Sequence, residues 1–312
     1  MKIYRDPAEV EPDFGPSAVT IGKFDGVHLG HRAVMAEVLR VSREHSLAAT
    51  VVTFDRNPLA VLAPDRCPPS LVSLDQKLEL LAGTGMDATL VLHFDEELAA
   101  LSPEDFVTRV LVDALHAHLV LVGSDFRFGR ANAGDVDMLR ALGERHGFRV
   151  ILVDDQRAGT GERVSSTRIR ALLVAGDIEG ASAMLGHLPT LRGEVVPGAR
   201  RGRELGFPTA NFAPDAEGLI PADGVYAGWL FDAGVRHPAA ISVGNNPTFE
   251  GVPQRQVEAH VIGETIDLYG HVIEVSFVKR IRDNVAFAGI PALIAQMRAD
   301  VAEVAALLAE TP

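Results

Sequence analysis

The sequence has little cysteine and no long apolar run. Cys67 is the single cysteine among 312 residues, which excludes a disulfide within the chain and fits a reducing compartment. A membrane-spanning helix needs about 20 consecutive apolar residues, and no segment approaches that length. We therefore expect neither a disulfide scaffold nor a membrane protein.

Basic residues are also scarce. The chain has 42 acidic and 29 basic side chains, a formal net charge of −13 and no long run of Lys and Arg. Proteins that bind nucleic acid normally carry a basic stripe, so a nucleic-acid partner is not expected. Residues 1–15 are charged and contain proline, unlike a signal peptide, and we expect a cytoplasmic protein whose oligomeric state the sequence leaves open.

A chain of 312 residues predicts two domains, because domains usually contain about 100–200 residues. Over residues 1–186, short strands rich in Val, Leu and Ile alternate with segments of helical periodicity, as in a parallel sheet built from βαβ units. The predicted strands are 17–22, 47–54, 88–94, 118–126 and 148–155, and the predicted helices are 31–45, 74–85, 102–115 and 135–147.

The pattern changes in the second half, residues 187–312. Short strands of partly alternating hydrophobicity are separated by Gly, Pro, Asn and Asp, which predicts a small antiparallel barrel. Apolar residues then recur at helical spacing from Pro291 to Glu310, so we expect an amphipathic helix packed on that barrel. The segment GHLPT, residues 186–190, marks the predicted boundary between domains 1–186 and 187–312.

The segment TIGKFDGVHLGHRAV, residues 20–34, joins a predicted strand to a predicted helix and carries two histidines. Open α/β sheets bind ligands at the carboxyl ends of their strands, and backbone N–H groups at a helix start attract phosphate. His28 and His31 would add donors or positive charge there, and Gly30 would let a nucleotide approach the backbone. Two surface histidines, or more weakly a zinc site, are the alternatives.

A second polar segment is GERVSSTRIRALLVAGD, residues 161–177. Ser and Thr cap helices, and hydroxyl and guanidinium groups bind phosphate oxygens. Taken alone, the segment is equally typical of a capped helix with solvated arginines. A third segment, VGSDFRFGR at residues 122–130, ends a predicted strand with glycine and Asp125, and the alternative there is a turn with core aromatics.

In the second half, residues 193–212 combine a loop rich in Gly and Arg with the segment PTAN. Such a loop can cover phosphates with backbone N–H groups and positive charge, although it lacks the GxxxxGK[ST] pattern of a Walker loop. Thr209 and Asn211 would face the same side of a strand, and their oxygen atoms suit Mg²⁺ shared with ATP phosphates. A strand leaving a basic turn is the alternative.

The segment QVEAHVI, residues 256–262, places Glu258 in an apolar strand whose neighbouring residues Val257 and Ala259 face the opposite side. A carboxylate in such a strand is either paired with a neighbouring base or functional, and the residues alone do not decide between the two. As a functional group it would have a pKa tuned by its surroundings.

The motifs of the first half together resemble a known family. HxGH after a strand and the later SSTxxR are similar to the signatures of α/β-phosphodiesterase nucleotidyltransferases, which attack the α-phosphorus of ATP and release pyrophosphate. DFRFG resembles the segment that lines the adenine and flavin site of flavin-specific members. From Thr20 to Phe287 the chain resembles the bacterial bifunctional riboflavin kinase/FAD synthetase family, in which an FMN adenylyltransferase module precedes a riboflavin kinase module.

The resemblance implies a Rossmann-like N-terminal domain with a parallel sheet, and a C-terminal six-stranded Greek-key barrel followed by a helix. In the N-terminal domain it implies that His28, His31 and Arg170 are catalytic. It also implies that the residues around the motifs bind ATP, namely Gly22, Phe24, Asp25, Gly26, Gly30, Asp125, Arg163, Ser165, Ser166, Thr167 and Arg168.

In the C-terminal domain, the resemblance implies that Glu258 is the base for the riboflavin 5′-hydroxyl and that Thr209 and Asn211 bind Mg²⁺. ATP phosphates are expected on the loop residues Gly198, Arg200, Gly202, Arg203 and Pro208. Asn57 and Phe126 are expected to bind flavin in the N-terminal domain, and Arg282 and Asp283 are expected to bind it in the C-terminal domain.

The expected activity is the phosphorylation of riboflavin to FMN and the adenylylation of FMN to FAD, both with ATP. Two segments depart from the family pattern. FDRNP, residues 54–58, stands where FxPHP is common, and Asn284 stands where a glutamate usually follows RD. A riboflavin kinase with an inactive or altered N-terminal module is therefore one alternative, and a flavin-binding protein without turnover is another.

Overall fold

The computed structural model describes residues 1–154, 162–198, 202, 205–244 and 255–310. Arg200 and Arg203, expected on the phosphate loop, lie outside the described residues. The chain forms two compact units. One comprises Met1–Ser70 and Leu74–Val164, and the other comprises Leu71–Ser73 and Ser165–Pro312.

The first unit is built on a parallel sheet of six strands in the order β1–β4–β3–β2–β5–β6. The strands are β1 (Lys2–Tyr4), β2 (Ser17–Ile21), β3 (Ala48–Phe54), β4 (Ala88–Leu92), β5 (Ala117–Gly123) and β6 (Arg149–Val153). Every residue of β2 and β4 is buried, as expected for central parallel strands. The predicted sheet is confirmed, and β1 is an edge strand that the prediction lacked.

Two apolar clusters cover the faces of this sheet. Val19 and Val52 belong to one cluster, whereas their chain neighbours Ala18 and Val51 belong to the other, as the alternation of side chains along a strand requires. The helices of this unit are α1 (Leu29–His45), α2 (Leu59–Leu62), α3 (Leu74–Ala82), α4 (Glu96–Ala100), α5 (Pro103–Phe106), which continues as a π-helix over Val107–Ala114, and α6 (Val136–His146).

The second unit contains a closed antiparallel barrel in the order β10–β11–β8–β7–β12–β9. Its strands are β7 (Thr190–Val196), β8 (Ala210–Phe212), β9 (Gly224–Asp232), β10 (Val235–Gly244), β11 (Gln256–Val261) and β12 (Val272–Arg282). β9, β10 and β11 pair in succession and β11 returns beside β8, which is a Greek-key connection. The expected six-stranded barrel is therefore confirmed.

The helices described in the second unit include α7 (Ser166–Ala175), α8 (Ile178–Leu185) and α9 (Ile290–Ala309). The backbone N–H of Ala222 donates to the carbonyl oxygen of Leu173 on α7 at 2.9 Å. The compact units thus divide between Val164 and Ser165, and the expected boundary between modules at residues 186 and 187 stays a prediction. Within the ranges described, no helix has the length and apolar character to cross a membrane.

Gly228, in the middle of β9, has no room for a side chain. A Cβ atom there would collide with the carbonyl oxygen of Ser276 and would lie 2.5 Å from Cδ1 of Ile241. We expect Gly228→Ala to lower the free energy of unfolding by about 1–3 kcal/mol, the usual cost of overpacking a core, in a urea titration. Gly83→Ala is the control, because its Cβ would meet atoms only at 3.5 Å and beyond. Equal stability of the two variants would contradict the packing described.

Candidate active sites

His28 caps the start of α1. Its Nδ1 accepts a hydrogen bond from the backbone N–H of His31 at 3.3 Å, in the place that Ser, Asn or Asp usually takes at a helix start. A neutral His28 ring therefore carries its proton on Nε2. Gly30 leaves room for the His28 ring, because a Cβ atom there would lie in tight contact with Cε1 of His28, at 3.1 Å. The HxGH segment thus places an imidazole donor at the positive end of a helix.

His31 is packed between aromatic rings. Its ring lies face to face with that of His28, with centroids 3.6 Å apart, and meets the edge of Phe24 at 5.1 Å. Burial first, and then the positive charges of His28, Lys23 and Lys77, hold the pKa of His31 well below its usual value. His31 is therefore neutral at physiological pH and offers a hydrogen bond, not a positive charge. Its buried Nδ1 meets no partner among the residues that the structure describes.

The turn that leads into α1 has an unusual backbone. Phe24 and Val27 adopt positive φ angles of 47° and 38°, and Gly26 between them has a φ of 80°. Phe24 is buried, and a Cβ atom on Gly22 would lie 3.0 Å from its ring. Of the residues expected to bind ATP here, Phe24 therefore supports His31 through packing, and Gly22 makes room for Phe24. The roles expected of Asp25 and Gly26 stay predictions.

A cavity of about 550 Å³ opens at the carboxyl ends of β2, β3, β4 and β5. Four residues expected in the nucleotide and flavin site line it: Gly22, Asn57, Asp125 and Phe126. Phe128, from the expected DFRFG segment, also lines it, whereas the prediction lacked the rest of the apolar wall, which includes Phe54, Leu62, Phe94, Leu98 and Phe106. These residues lie at or after the ends of different strands, so only the three-dimensional fold brings them together. An apolar cavity with a few polar groups is typical of a small-molecule site.

Two of the residues expected to bind ATP contact each other in the first unit. Nη2 of Arg163 donates to Oδ2 of Asp125 at 2.7 Å. This hydrogen bond is the main reason that the pKa of Asp125 lies below its usual range, so the carboxylate stays ionised. The pair places a guanidinium group next to a residue of the cavity wall.

The SSTRIR segment begins α7, as predicted. Ser165 is the N-cap, and its hydroxyl accepts a hydrogen bond from the backbone N–H of Arg168 at 3.2 Å. Three further residues expected to act on ATP, Ser166, Thr167 and Arg170, lie in the first two turns. The segment belongs to the second unit and the HxGH segment to the first. Capping is thus observed, and phosphate binding stays a prediction.

Glu258 and the PTAN segment meet on the outer face of the barrel. Glu258 pairs with Asn211 in the ladder between β11 and β8. The Thr209 hydroxyl donates to Oε2 of Glu258 at 3.1 Å, and Nδ2 of Asn211 donates to the Thr209 carbonyl at 3.2 Å. Val257 and Ala259 are buried on the opposite face, as predicted. The register of two strands therefore brings the expected base and the expected metal-binding residues together.

The donor set around Glu258 fits a hard cation. Hydroxyl, amide and carboxylate oxygens are the ligands that Mg²⁺ prefers, with water and phosphate completing the shell. The backbone at Gly198 lies so close that a Cβ atom would overlap the Asn211 side chain. In the part of the chain described, no group of three or more His, Cys, Asp or Glu side chains could hold a metal.

Two cavities adjoin Thr209. One, of about 130 Å³, lies between the barrel and α9 and includes Glu258, His260 and Phe287 in its wall. The other, of about 460 Å³, is lined by Gly198, Pro208 and Asn211, among others. Thr209 lines both cavities, so the reactive groups lie where the two spaces meet. His260 belongs to the same ExH motif as Glu258 and lies two positions after it on the same face of β11. Phe287 ends the segment IRDNVAF, residues 281–287, which resembles the flavin-proximal segment of the family.

Arg282 lies in the wall of the smaller cavity, but its guanidinium group is bound by α9. Its Nε donates to Oδ1 of Asp300 at 2.9 Å, and its Nη2 donates to Oδ2 at 2.6 Å. Asp300 is 4% exposed, so the pair is largely shielded from solvent. Arg282 thus holds α9 against the barrel. Asp283, expected beside it on the flavin, pairs with Arg280 at 2.7 Å and is exposed.

Comparison with known proteins agrees with this geometry. A model of FAD synthetase matches residues 11–168, and a model of riboflavin kinase matches residues 185–308. The bifunctional riboflavin kinase/FMN adenylyltransferase of Escherichia coli K12 is 38% identical over 283 residues, 90% of each chain. The proteins of the same name from Listeria monocytogenes and Pseudomonas fluorescens are 35% and 34% identical, over 94% and 99% of this chain and 92% and 98% of theirs.

The chain belongs to the bifunctional riboflavin kinase/FMN adenylyltransferase family. Both enzyme domains of the family are present, so the predicted resemblance is confirmed. A solved structure described as a macrolide-efflux protein from Streptococcus pneumoniae also matches, with a TM-score of 0.83, 28% identity and 96% coverage of both chains. That description concerns the other protein, and the match shows that the two chains share a fold over nearly their whole length.

The environment of His31 makes a spectroscopic prediction. Because burial lowers the pKa of His31 well below 6.5, its imidazole should still be neutral at pH 6 in the folded chain. Nitrogen NMR of histidine-labelled protein measures this, with the His31 signal assigned by its loss in His31→Gln. In urea the same ring should titrate near its ordinary value of about 6.5. A folded-state midpoint at or above that value would contradict the burial described.

Proposed function

We propose that the barrel converts riboflavin to FMN and that the α/β unit converts FMN to FAD, with ATP as the donor in both reactions. The observation that carries this assignment is the junction at Thr209, which lines both cavities of the barrel and donates a hydrogen bond to Glu258 in the wall of the smaller one. We place the flavin in the cavity beside α9 and ATP in the cavity beside Gly198. A cytoplasmic location is part of the proposal, supported by the single cysteine, which is free.

In the kinase reaction, the 5′-hydroxyl oxygen of riboflavin attacks the γ-phosphorus of ATP. The bond from that phosphorus to the bridging oxygen breaks, ADP leaves, and the hydroxyl proton passes to Glu258. Phosphoryl transfer depends mainly on positioning and charge stabilisation. The Thr209 hydroxyl fixes the orientation of the Glu258 carboxylate, and the β8–β11 ladder fixes its distance from Asn211. Oxygen atoms of Thr209 and Asn211 would hold Mg²⁺, which neutralises phosphate charge when bound.

In the adenylyl transfer, an oxygen of the FMN phosphate attacks the α-phosphorus of ATP and pyrophosphate leaves. The FMN phosphate is already an anion, so this step needs no general base. His28, through Nε2, and neutral His31 donate hydrogen bonds to the phosphate oxygens, and the start of α1 adds partial positive charge. The part expected of Arg170 rests on the family resemblance alone. Asn57, Phe126 and the apolar wall of the cavity would receive the flavin ring.

The kinase assignment predicts a selective loss in Glu258→Gln. This variant keeps an oxygen that accepts from Thr209 but removes the base, so the kcat of FMN formation should fall about 10²–10⁴-fold. FAD formation from supplied FMN should stay within twofold of the wild type. Chromatography of riboflavin, FMN and FAD measures both rates. Glu217→Gln, a change at an exposed glutamate of the same unit, is the control, and loss of both activities in folded Glu258→Gln would contradict the division.

The adenylyltransferase assignment predicts the opposite loss in His28→Asn. Asparagine still caps α1 but lacks the Nε2 donor, so FAD and pyrophosphate formation should fall about 10²–10³-fold while FMN formation persists. His45→Ala, at the exposed opposite end of α1, is the control. If the wild-type chain makes no FAD from FMN, ATP and Mg²⁺, the alternative of an inactive N-terminal module is correct.

A further inference from the structure

Lys77 is a buried lysine outside the motifs of the family. It lies on α3 and is 8% exposed. The other buried residues of this helix are Gln76, Leu78 and Leu81. A lysine is almost never buried unless its ammonium group has polar partners. Packing of α3 needs only its leucines, which join the apolar cluster on this face of the sheet. The burial of Lys77 therefore points to a task for the ammonium group.

The ammonium group bonds to the carboxyl ends of two neighbouring strands. Nζ donates to the carbonyl oxygen of Phe54 at 2.7 Å and reaches that of Lys23 at 3.5 Å. The Thr53 hydroxyl donates to the same Lys23 carbonyl at 3.2 Å. Phe54 ends β3, three residues before Asn57, and Lys23 begins the turn that leads to the histidines. Lys77 thus ties together the two backbone segments that carry the adenylyl-transfer site.

The turn that Lys77 contacts has an unusual backbone. Phe24, directly after Lys23, and Val27 are residues with side chains in the left-handed region of the backbone. Such conformations persist only where the surrounding structure enforces them. The bonds of Lys77 and Thr53 to the Lys23 carbonyl provide that constraint at the start of the turn.

Burial and two nearby carboxylates have opposite effects on the charge of Lys77. Burial lowers the pKa of Lys77 to about 8, and the carboxylates of Asp25 and Asp55 act against that shift. The ammonium form therefore dominates at pH 7 and is lost above about pH 8. Lys77 also contributes, after burial and the charges of His28 and Lys23, to the low pKa of His31. Among the residues that the structure describes, the titratable groups coupled to Lys77 are therefore Asp25, Asp55 and His31.

We propose that Lys77 is a positioning residue for adenylyl transfer, which holds the turn carrying His28 and His31 against the strand end that leads to Asn57. Lys23 and Phe54 line the cavity, whereas Lys77, in the described part of the chain, lies behind that wall. Lys77 therefore acts on the reaction through the backbone and not by touching a substrate. The inference rests on the role proposed for His28.

The test uses Lys77→Met in the full chain. Removing the charged donor should lower the kcat of FAD formation about tenfold, while the KM values for FMN and ATP change less than about threefold. Riboflavin kinase activity of the same protein should be unchanged, which shows that the second unit is intact. Lys2→Met, at an exposed lysine of the same unit, is the matched control and should keep the wild-type rate.

The pH dependence of FAD formation distinguishes a positioning role of the Lys77 ammonium group from a role in packing alone. In the wild type, the kcat of FAD formation should fall as pH rises through about 8, because the ammonium group loses its proton. Arginine keeps its charge at any accessible pH, so Lys77→Arg should be active at pH 7 and lack this alkaline fall. A lysine that served only packing would leave the profile unchanged.

Each outcome bears on the proposal. Wild-type kcat in Lys77→Met, or the same alkaline fall in Lys77→Arg as in the wild type, overturns it. If Lys77→Met does not fold, as judged by thermal unfolding, the profile of Lys77→Arg decides alone. If His28→Asn keeps FAD formation, the proposed site is wrong and the inference falls with it. Loss in His28→Asn without loss in Lys77→Met overturns the role of Lys77 and leaves the site in place.

Discussion

The kinase half depends on the register between β8 and β11, which pairs Asn211 with Glu258. Side chains alternate along a strand, so a slip of one residue would turn Glu258 into the barrel core and Ala259 out of it. Burial of Val257 and Ala259 makes that slip unfavourable. The apolar core of the barrel, more than any polar contact, therefore determines where the carboxylate lies. Thr209 then needs only one hydrogen bond to orient it.

In the α/β unit, other contacts fix the positions of the functional side chains. Parallel strands end at one edge of the sheet, so residues after β2, β3 and β5 converge although they are distant in sequence. The described loops that follow β2 and β3 are not part of a strand ladder. A capping histidine, a glycine that fits against it and a buried lysine supply the constraint instead. Both reactions thus take place on groups fixed by backbone contacts, which suits chemistry that depends on positioning.

The sequence alone was sufficient for the regular elements and for the motifs, because both rest on local patterns. It was insufficient for short elements and for features that depend on contacts between residues distant in sequence. β1 (Lys2–Tyr4) is a three-residue edge strand in a charged segment, and no periodicity marks it. The contact of α7 with Ala222, which groups α7 with the second unit, joins residues far apart in sequence, whereas the expected module boundary at residues 186 and 187 stays a prediction. Lys77 looks like a polar residue of an amphipathic helix, and only the fold shows its burial.

The two departures from the family pattern have a shared physical explanation. Asn284, where the family commonly has glutamate, donates from Nδ2 to the carbonyl oxygen of Val243 at 2.8 Å, which an ionised carboxylate could not do. Asn57, where the family commonly has histidine, accepts from the backbone N–H of Leu59 at 3.1 Å at the start of α2. Each amide satisfies a backbone group next to a cavity. Both side chains line those cavities and also bond to the backbone at their edges, so each departure combines a place in a cavity wall with a structural contact.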